Sequence, residues 1–167
     1  VFTLQGWHEQ GVLVSCRNLP WKRMGQGRTM ILSVDPGDMT GIAYWEDDGT
    51  FIEKEALPFE ELLEKLKSFT GNIKVIVCED YRLRGGRQVA QTGSRFVAVQ
   101  VIGALKLLAK EQSAKFVLQQ PTVLTVAALH SGLKRPSNHS KSHDVDAYNH
   151  GYYYLETQGL LEPKPLY

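Results

Sequence analysis

With 167 residues, 43% of them hydrophobic and 22% charged, the chain is long enough for one ordinary domain with a real core, and it is neither fibrous nor disordered in composition. No apolar run approaches the ~18 residues that span a bilayer, so no membrane segment is expected. The formal net charge is +1, and the two cysteines, Cys16 and Cys78, make neither a disulfide framework nor a paired metal motif, which points to a reducing, cytoplasmic setting.

The small net charge conceals a segregation. Glu46 to Glu64 holds eight acids and one base, Lys54, whereas Tyr81 to His143 holds ten Lys and Arg residues and one acid, Glu111. A strongly basic segment in a near-neutral protein predicts a face that meets a polyanion. Two solvated faces of opposite sign are the plain alternative.

Residues 1–28 carry Gly at 6, 11, 25 and 27 and no clear periodicity. They read as an N-terminal extension, either an arm or an added element, with the domain proper running from 29 to 167. Ile31 to Val34 is an apolar run bounded by β-branched residues, which predicts a buried strand. It stops on Asp35, followed by Pro36-Gly37, a pair that cannot continue a central strand. Apolar residues resume from Gly41 to Trp45, and Asp47-Asp48-Gly49 marks a second turn before Phe51-Ile52. The pattern is a meander with Asp35 at the rim of its first strand. Asp-Pro-Gly is also ordinary turn chemistry, so this stretch alone does not assign a role.

Pro58 to Phe69 reads as an amphipathic helix, with Leu62, Leu63, Leu66 and Phe69 on one stripe. Gly71-Asn72 ends it, and Ile73 to Cys78 follows as a strand. Apart from Lys74 this run is apolar throughout, as expected of a central strand covered on both faces. It also finishes on an acid, Glu79. If the two strands are parallel neighbours, Asp35 and Glu79 end up side by side. A basic, glycine-bearing loop follows, Arg82-Leu-Arg84-Gly-Gly-Arg87, and it is not a P-loop because no Gly-Lys-Ser/Thr completes it. Gln88 to Gln112 has the period of a long helix, with Val89, Phe96, Val97, Val101, Leu105 and Leu108 as its apolar face. Ala114 to Leu118 predicts a short strand, and Pro121 opens a helix through about Leu129. Ser131 to Lys141 is a polar, basic loop.

The last helix is expected from Ser142 to Glu156. His143, Asp146 and His150 fall at spacings of three and four and so share one face. Asp144 lies about 100° round and points elsewhere. N-capping accounts for an acid early in this helix, but not for a His-x-x-Asp pair on one face. Two strand-ending carboxylates and an acid from the last helix are hard oxygen donors, suited to Mg²⁺ or Mn²⁺ and not to zinc. Two such ions would activate a water and stabilise the leaving oxygen of a phosphodiester.

Asp35-Pro-Gly in a strand–turn–strand, Glu79 ending the fourth strand and His143-x-x-Asp146-Ala147 opening the last helix resemble RuvC-type Holliday junction resolvases of the RNase H-like superfamily. The resemblance covers roughly residues 30–155, and a compact phage-type member fits it. It implies an α/β fold with a five-stranded mixed sheet in the order 3-2-1-4-5, flanked by helices. It implies that Asp35, Glu79 and Asp146 hold two Mg²⁺ (or Mn²⁺) ions, with Asp35 bridging. His143 would act beside the scissile phosphate as ligand or proton-transfer group. The activity implied is nicking of four-way DNA junctions, leaving 5′-phosphate and 3′-hydroxyl ends, by a homodimer joined through the helix near 88–112. The compartment implied is a bacterial or phage-infected host cytoplasm. Arg82, Arg84, Arg87, Lys134, Arg135 and Lys141 would neutralise DNA phosphates, and Tyr81 would stack on an unpaired base. In place of the family's usual stretch before the last helix stands a short loop rich in Ser, Asn and His. Other expectations are a terminase-type, branched-DNA or RNA–DNA hybrid nuclease of the same fold, or a junction-binding protein without catalysis. A sugar-kinase or actin-like ATPase is not expected from 167 residues, since that fold needs two such domains.

Overall fold

Met30, Leu32 and Val34 point to one side of β1 (Thr29–Asp35), and Ile31, Ser33 and Asp35 to the other. This period-two alternation decides what each face of the sheet can do. The computed structural model describes residues 29–69, 71–81, 94–134 and 142–164. β2 (Met39–Glu46) runs antiparallel to β1, and β3 (Phe51–Pro58) antiparallel to β2. After α1 (Phe59–Lys67), β4 (Asn72–Glu79) lies parallel to β1 on its other side. After α2 (Ser94–Glu111), β5 (Lys115–Gln119) lies parallel to β4. Two helices follow, α3 (Val123–Ser131) and α4 (His143–Thr157). The result is a five-stranded mixed sheet in the order β3-β2-β1-β4-β5 with helices against it, as expected.

One face of the sheet builds an apolar core under α1 and α2, with Met30, Leu32, Val34, Ile42, Ile76 and Cys78 meeting Leu62, Val101 and Leu105. Burying each large aliphatic there contributes about 1.5–3 kcal/mol. The opposite face packs Ile31, Ala43, Trp45, Val75 and Val77 against Ala147, Tyr152, Tyr154 and Leu155, all from α4. Trp45 stands 4.8 Å from Tyr148 and 5.1 Å from Phe51, ring centre to ring centre, which fastens the middle of α4 to the β2–β3 hairpin.

The third strand is longer than Phe51-Ile52. It continues through Glu53, Lys54 and Glu55 to Pro58, and the helix starts only at Phe59. β3 is an edge strand, so its charged residues keep one flank in solvent and need no apolar alternation. Pro58, in extended conformation, ends the strand and is the N-cap of α1, whose first helical residue is Phe59. The long helix is described from Ser94, and its predicted start at 88–93, including Val89, lies outside the described residues, as do the N-terminal extension 1–28, Cys16 and the side chain of Phe96. Among the described residues no helix is long and apolar enough to cross a membrane.

Candidate active site

The parallel register places Val34 opposite Cys78, so the residues that follow them, Asp35 and Glu79, end neighbouring strands at the same rim of the sheet. Alternation does the rest. Asp35 shares its side of β1 with Ile31 and Ser33, and Glu79 shares its side of β4 with Val75 and Val77. Both carboxylates therefore lie on the α4 face, while Cys78 between them turns into the α1/α2 core.

Helix α4 reaches that rim because small residues let it. Gly41 pairs with Asp35 across β1 and β2, and a Cβ on it would lie 1.8 Å from the His143 carbonyl oxygen. A side chain at this position would lift the first turn of α4 off the sheet. Farther along, a Cβ on Gly151 would lie 2.2 Å from the Trp45 ring nitrogen and 2.5 Å from the Ser33 hydroxyl. Those two groups bond each other beneath the helix, the Trp45 Nε1–H donating to Ser33 Oγ at 3.0 Å. Ser142 occupies the N-cap position, but its side chain makes no capping bond; the first helical bond runs from the Asp146 N–H to the Ser142 carbonyl. Capping is thus not what fixes the sequence around His143.

With α4 seated, His143 Nδ1 stands 2.7 Å from Asp35 Oδ2. Asp146, one turn on, is buried at 6% exposure, and Asp35 is at 7%. Burial raises the Asp35 pKa above the ordinary carboxylate value, the His143 hydrogen bond opposes that rise, and the Glu79 charge adds to it. His143 is shifted upward, first by its hydrogen bond to Asp35 and then, against the cost of burial, by the charges of Asp35, Asp146 and Glu79. Of the four residues singled out in the sequence, Asp35 and His143 are thus in direct contact, and Glu79 and Asp146 act on His143 through their charge. Asp144 points away, as expected, and pairs with Lys54 of β3.

Two further side chains complete the cluster. His150, fully buried on α4, sets Nε2 3.0 Å from Glu79 Oε2 and Nδ1 2.8 Å from Gln119 Oε1. His150 was visible in sequence as sharing a face with His143 and Asp146, four residues beyond the latter. Gln119 carried no signal, because its place beside Glu79 follows from the parallel pairing of β4 with β5.

Among the described residues, no three His, Cys, Asp or Glu side chains stand together closely enough to hold one metal ion. Each of the two strand-end carboxylates instead faces a histidine. The donor chemistry nevertheless suits a hard divalent cation: buried or half-buried carboxylates, two of them ending adjacent strands, whose mutual repulsion a cation would relieve.

Of the predicted DNA-contacting residues, Lys134 is exposed and Tyr81 half-buried. Lys134 follows Leu133, whose N–H donates to Ser131 Oγ and whose carbonyl accepts from Asn149 Nδ2, so the chain enters the basic loop from an anchored point. Arg82, Arg84, Arg87, Arg135 and Lys141 lie outside the described residues.

No protein-family model matches the chain, and no curated protein matches it. Solved structures do. Thermus thermophilus RuvC in complex with a Holliday junction substrate matches with a TM-score of 0.50 at 16% identity, over 81% of this chain and 99% of that one. A second Thermus thermophilus RuvC structure matches with a TM-score of 0.49 at 14% identity, over 80% of this chain and 99% of that one. At such identities the likeness speaks for the fold, and with the strand order it establishes the RNase H-like fold of RuvC for this chain.

Proposed function

We propose that this chain is a metal-dependent, structure-selective endonuclease that cuts four-way DNA junctions. The observation that carries the reading is that Asp35 and Glu79 end adjacent parallel strands at one rim of the sheet, where α4 brings His143 against Asp35 and buries Asp146 one turn on. The fold, similar to that of a RuvC bound to a Holliday junction substrate, supports branched DNA as the substrate.

In this reading Asp35, Glu79 and Asp146 would hold two Mg²⁺ or Mn²⁺ ions, with His143 beside them as a further ligand or as a proton-transfer group. When bound, such ions supply activation of the attacking water and stabilisation of the departing oxygen. The chain's own groups set the rest. Asp35 engages His143 Nδ1, which leaves Nε2 as the atom that would either face a cation or pass a proton near the scissile phosphate. Lys134, with Arg82, Arg84, Arg87, Arg135 and Lys141, binds backbone phosphates and gives salt-dependent affinity. Tyr81, two residues past Glu79, stacks on an unpaired base at the branch point. A second copy docks along α2, where Val99 and Leu107 are exposed and Leu107 borders an apolar groove shared with Leu63 and Leu66 of α1.

The test is cleavage of a synthetic four-way junction beside a linear duplex, a flap and an RNA–DNA hybrid, with Mg²⁺ or Mn²⁺, and with Asp146→Asn as control. Paired symmetric nicks on the junction, absent from the mutant and from reactions containing a chelator, are the expected result. Equal cutting of all branched DNA would redefine the protein as a general branched-DNA nuclease. Preference for the hybrid would make it a ribonuclease of the same fold. Tight junction binding without cutting in any metal would leave a junction-binding protein.

A further inference from the structure

His150 is fully buried, yet both of its ring nitrogens are committed to the rim of the sheet. A glutamate ending a strand is a poor ligand unless it is held. Its flexible side chain gives up about 1.5–2 kcal/mol of rotamer freedom on being fixed, and it carries its charge beside a second strand-end carboxylate, Asp35. The His150 ring lies across the ends of two adjacent strands, since Glu79 and Gln119 are direct register partners in β4 and β5. An ionised carboxylate only accepts hydrogen bonds, so Nε2–H is the donor to Glu79. Gln119 then fixes the ring from the other side, accepting from Nδ1–H or, with its amide turned over, donating to it.

We infer that His150, oriented by Gln119, is a positioning residue for Glu79, holding that carboxylate where a divalent cation would take it up. The inference deepens the nuclease reading and rests on its assignment of Glu79 as a ligand. A buried imidazole that merely filled space would be replaceable by an apolar ring of similar volume, because burying a polar ring costs free energy unless its atoms are bonded. Here the bonds go to the strand-end acid and to that acid's register partner.

The experiment is calorimetric titration of the full chain with Mn²⁺ in the absence of DNA, comparing wild type, His150→Phe, His150→Gln, Gln119→Met and Ser131→Ala. Removing a group that orients a metal ligand typically weakens metal affinity by about 10–100-fold. His150→Phe is expected to show a loss of that size. His150→Gln, which keeps an N–H for Glu79, recovers most of the affinity, and Gln119→Met loses less than His150→Phe but in the same direction. Ser131→Ala removes a buried 2.8 Å hydrogen bond from α3 to Asn149, the α4 residue next to His150, and is expected to lower the melting temperature without changing Mn²⁺ affinity. If His150→Phe fails to fold, Gln119→Met carries the test alone, since it leaves His150 in place. Wild-type Mn²⁺ affinity in His150→Phe, or in a folded Gln119→Met where His150→Phe does not fold, overturns the inference, as does a wild-type chain that takes up no Mn²⁺. Because no DNA is present, a chain that shows the expected affinity pattern yet cuts no junction defeats the nuclease reading and leaves the positioning role standing.

Discussion

The two faces of the sheet are built from the same strands and serve opposite ends. Toward α1 and α2 the strands present Met30, Leu32, Val34, Ile76 and Cys78, all essentially without solvent contact and all apolar. Toward α4 they present Ser33, Asp35, Gly41 and Glu79 interleaved with Ile31, Ala43, Trp45 and Val77, and the helix answers with His143, Asp146 and His150. A one-residue alternation thus separates a face that stabilises from a face that gathers acids. The buried acids are a cost to the fold, since burial and mutual repulsion both work against the ionised form of Asp35. What offsets that cost locally is histidine, and α4 can deliver it only because Gly41 and Gly151 let the helix lie close.

The sharpest way to test this separation is to damage each face and read both activity and stability. On the α4 face, Asp146→Asn or Glu79→Gln is expected to abolish junction cleavage, a loss of at least about 10²-fold, while the melting temperature moves little, because a buried charge is replaced by an amide of the same shape. Cleavage at a tenth of wild type or better would sink the assignment of that residue. Next in size is Gly41→Ala. Its methyl cannot be accommodated without moving the His143 backbone, so the first turn of α4 shifts by something near 1 Å. A displacement of that kind costs about 10²-fold in rate, and the overpacking costs about 1–3 kcal/mol in stability. Chemical denaturation and single-turnover cleavage of the same preparation measure both.

On the other face the order of effects reverses. Leu105 of α2 is fully buried against the apolar cluster, and Leu105→Ala should cost about 2–5 kcal/mol in unfolding free energy. Cleavage by the fraction that remains folded should stay within about threefold of wild type, because Leu105 packs on the opposite face of the sheet from the acid side chains. If Leu105→Ala instead removed cleavage well below its unfolding midpoint, the two faces would not be separable in the way described.

Much of this was legible in the residues alone, for identifiable reasons. The strand order came with the resemblance to RuvC-type resolvases, which puts the first and fourth strands side by side as a meeting of Asp35 and Glu79 needs, whereas the all-apolar run from Val75 to Cys78 by itself marked β4 as central. His143 and Asp146 were legible because helical spacing is a local property. Gln119 was not, since its role depends on a register between strands separated by a helix, and a lone glutamine at a strand end carries no periodic signal. His150 fell between these cases: its helical face was evident, but the acid it would meet was not. The second half of β3 was missed because an edge strand is released from the apolar alternation used to recognise strands, and Glu53-Lys54-Glu55 reads as loop in consequence.

That misread strand supplies the smallest expected effect. Lys54 of β3 reaches Asp144 in the first turn of α4, so the pair ties the edge strand to the helix that carries His143 and Asp146. Both side chains keep about a quarter of their surface in water, 27% for Lys54 and 22% for Asp144, which places the pair in the regime where an ion pair contributes about 0.2–1 kcal/mol. Lys54→Met should therefore lower stability by no more than that, with the loss shrinking further in high salt as screening removes what remains of the attraction. Its effect on cleavage should be slight, because Gly41 and Gly151 already seat the helix by shape, and shape does not depend on ionic strength. Unfolding and cleavage measured together across a salt series decide the point. A large, salt-sensitive loss of cleavage in Lys54→Met would mean that the first turn of α4 is held by charge and not by close packing, and would transfer the positioning role from the two glycines to β3.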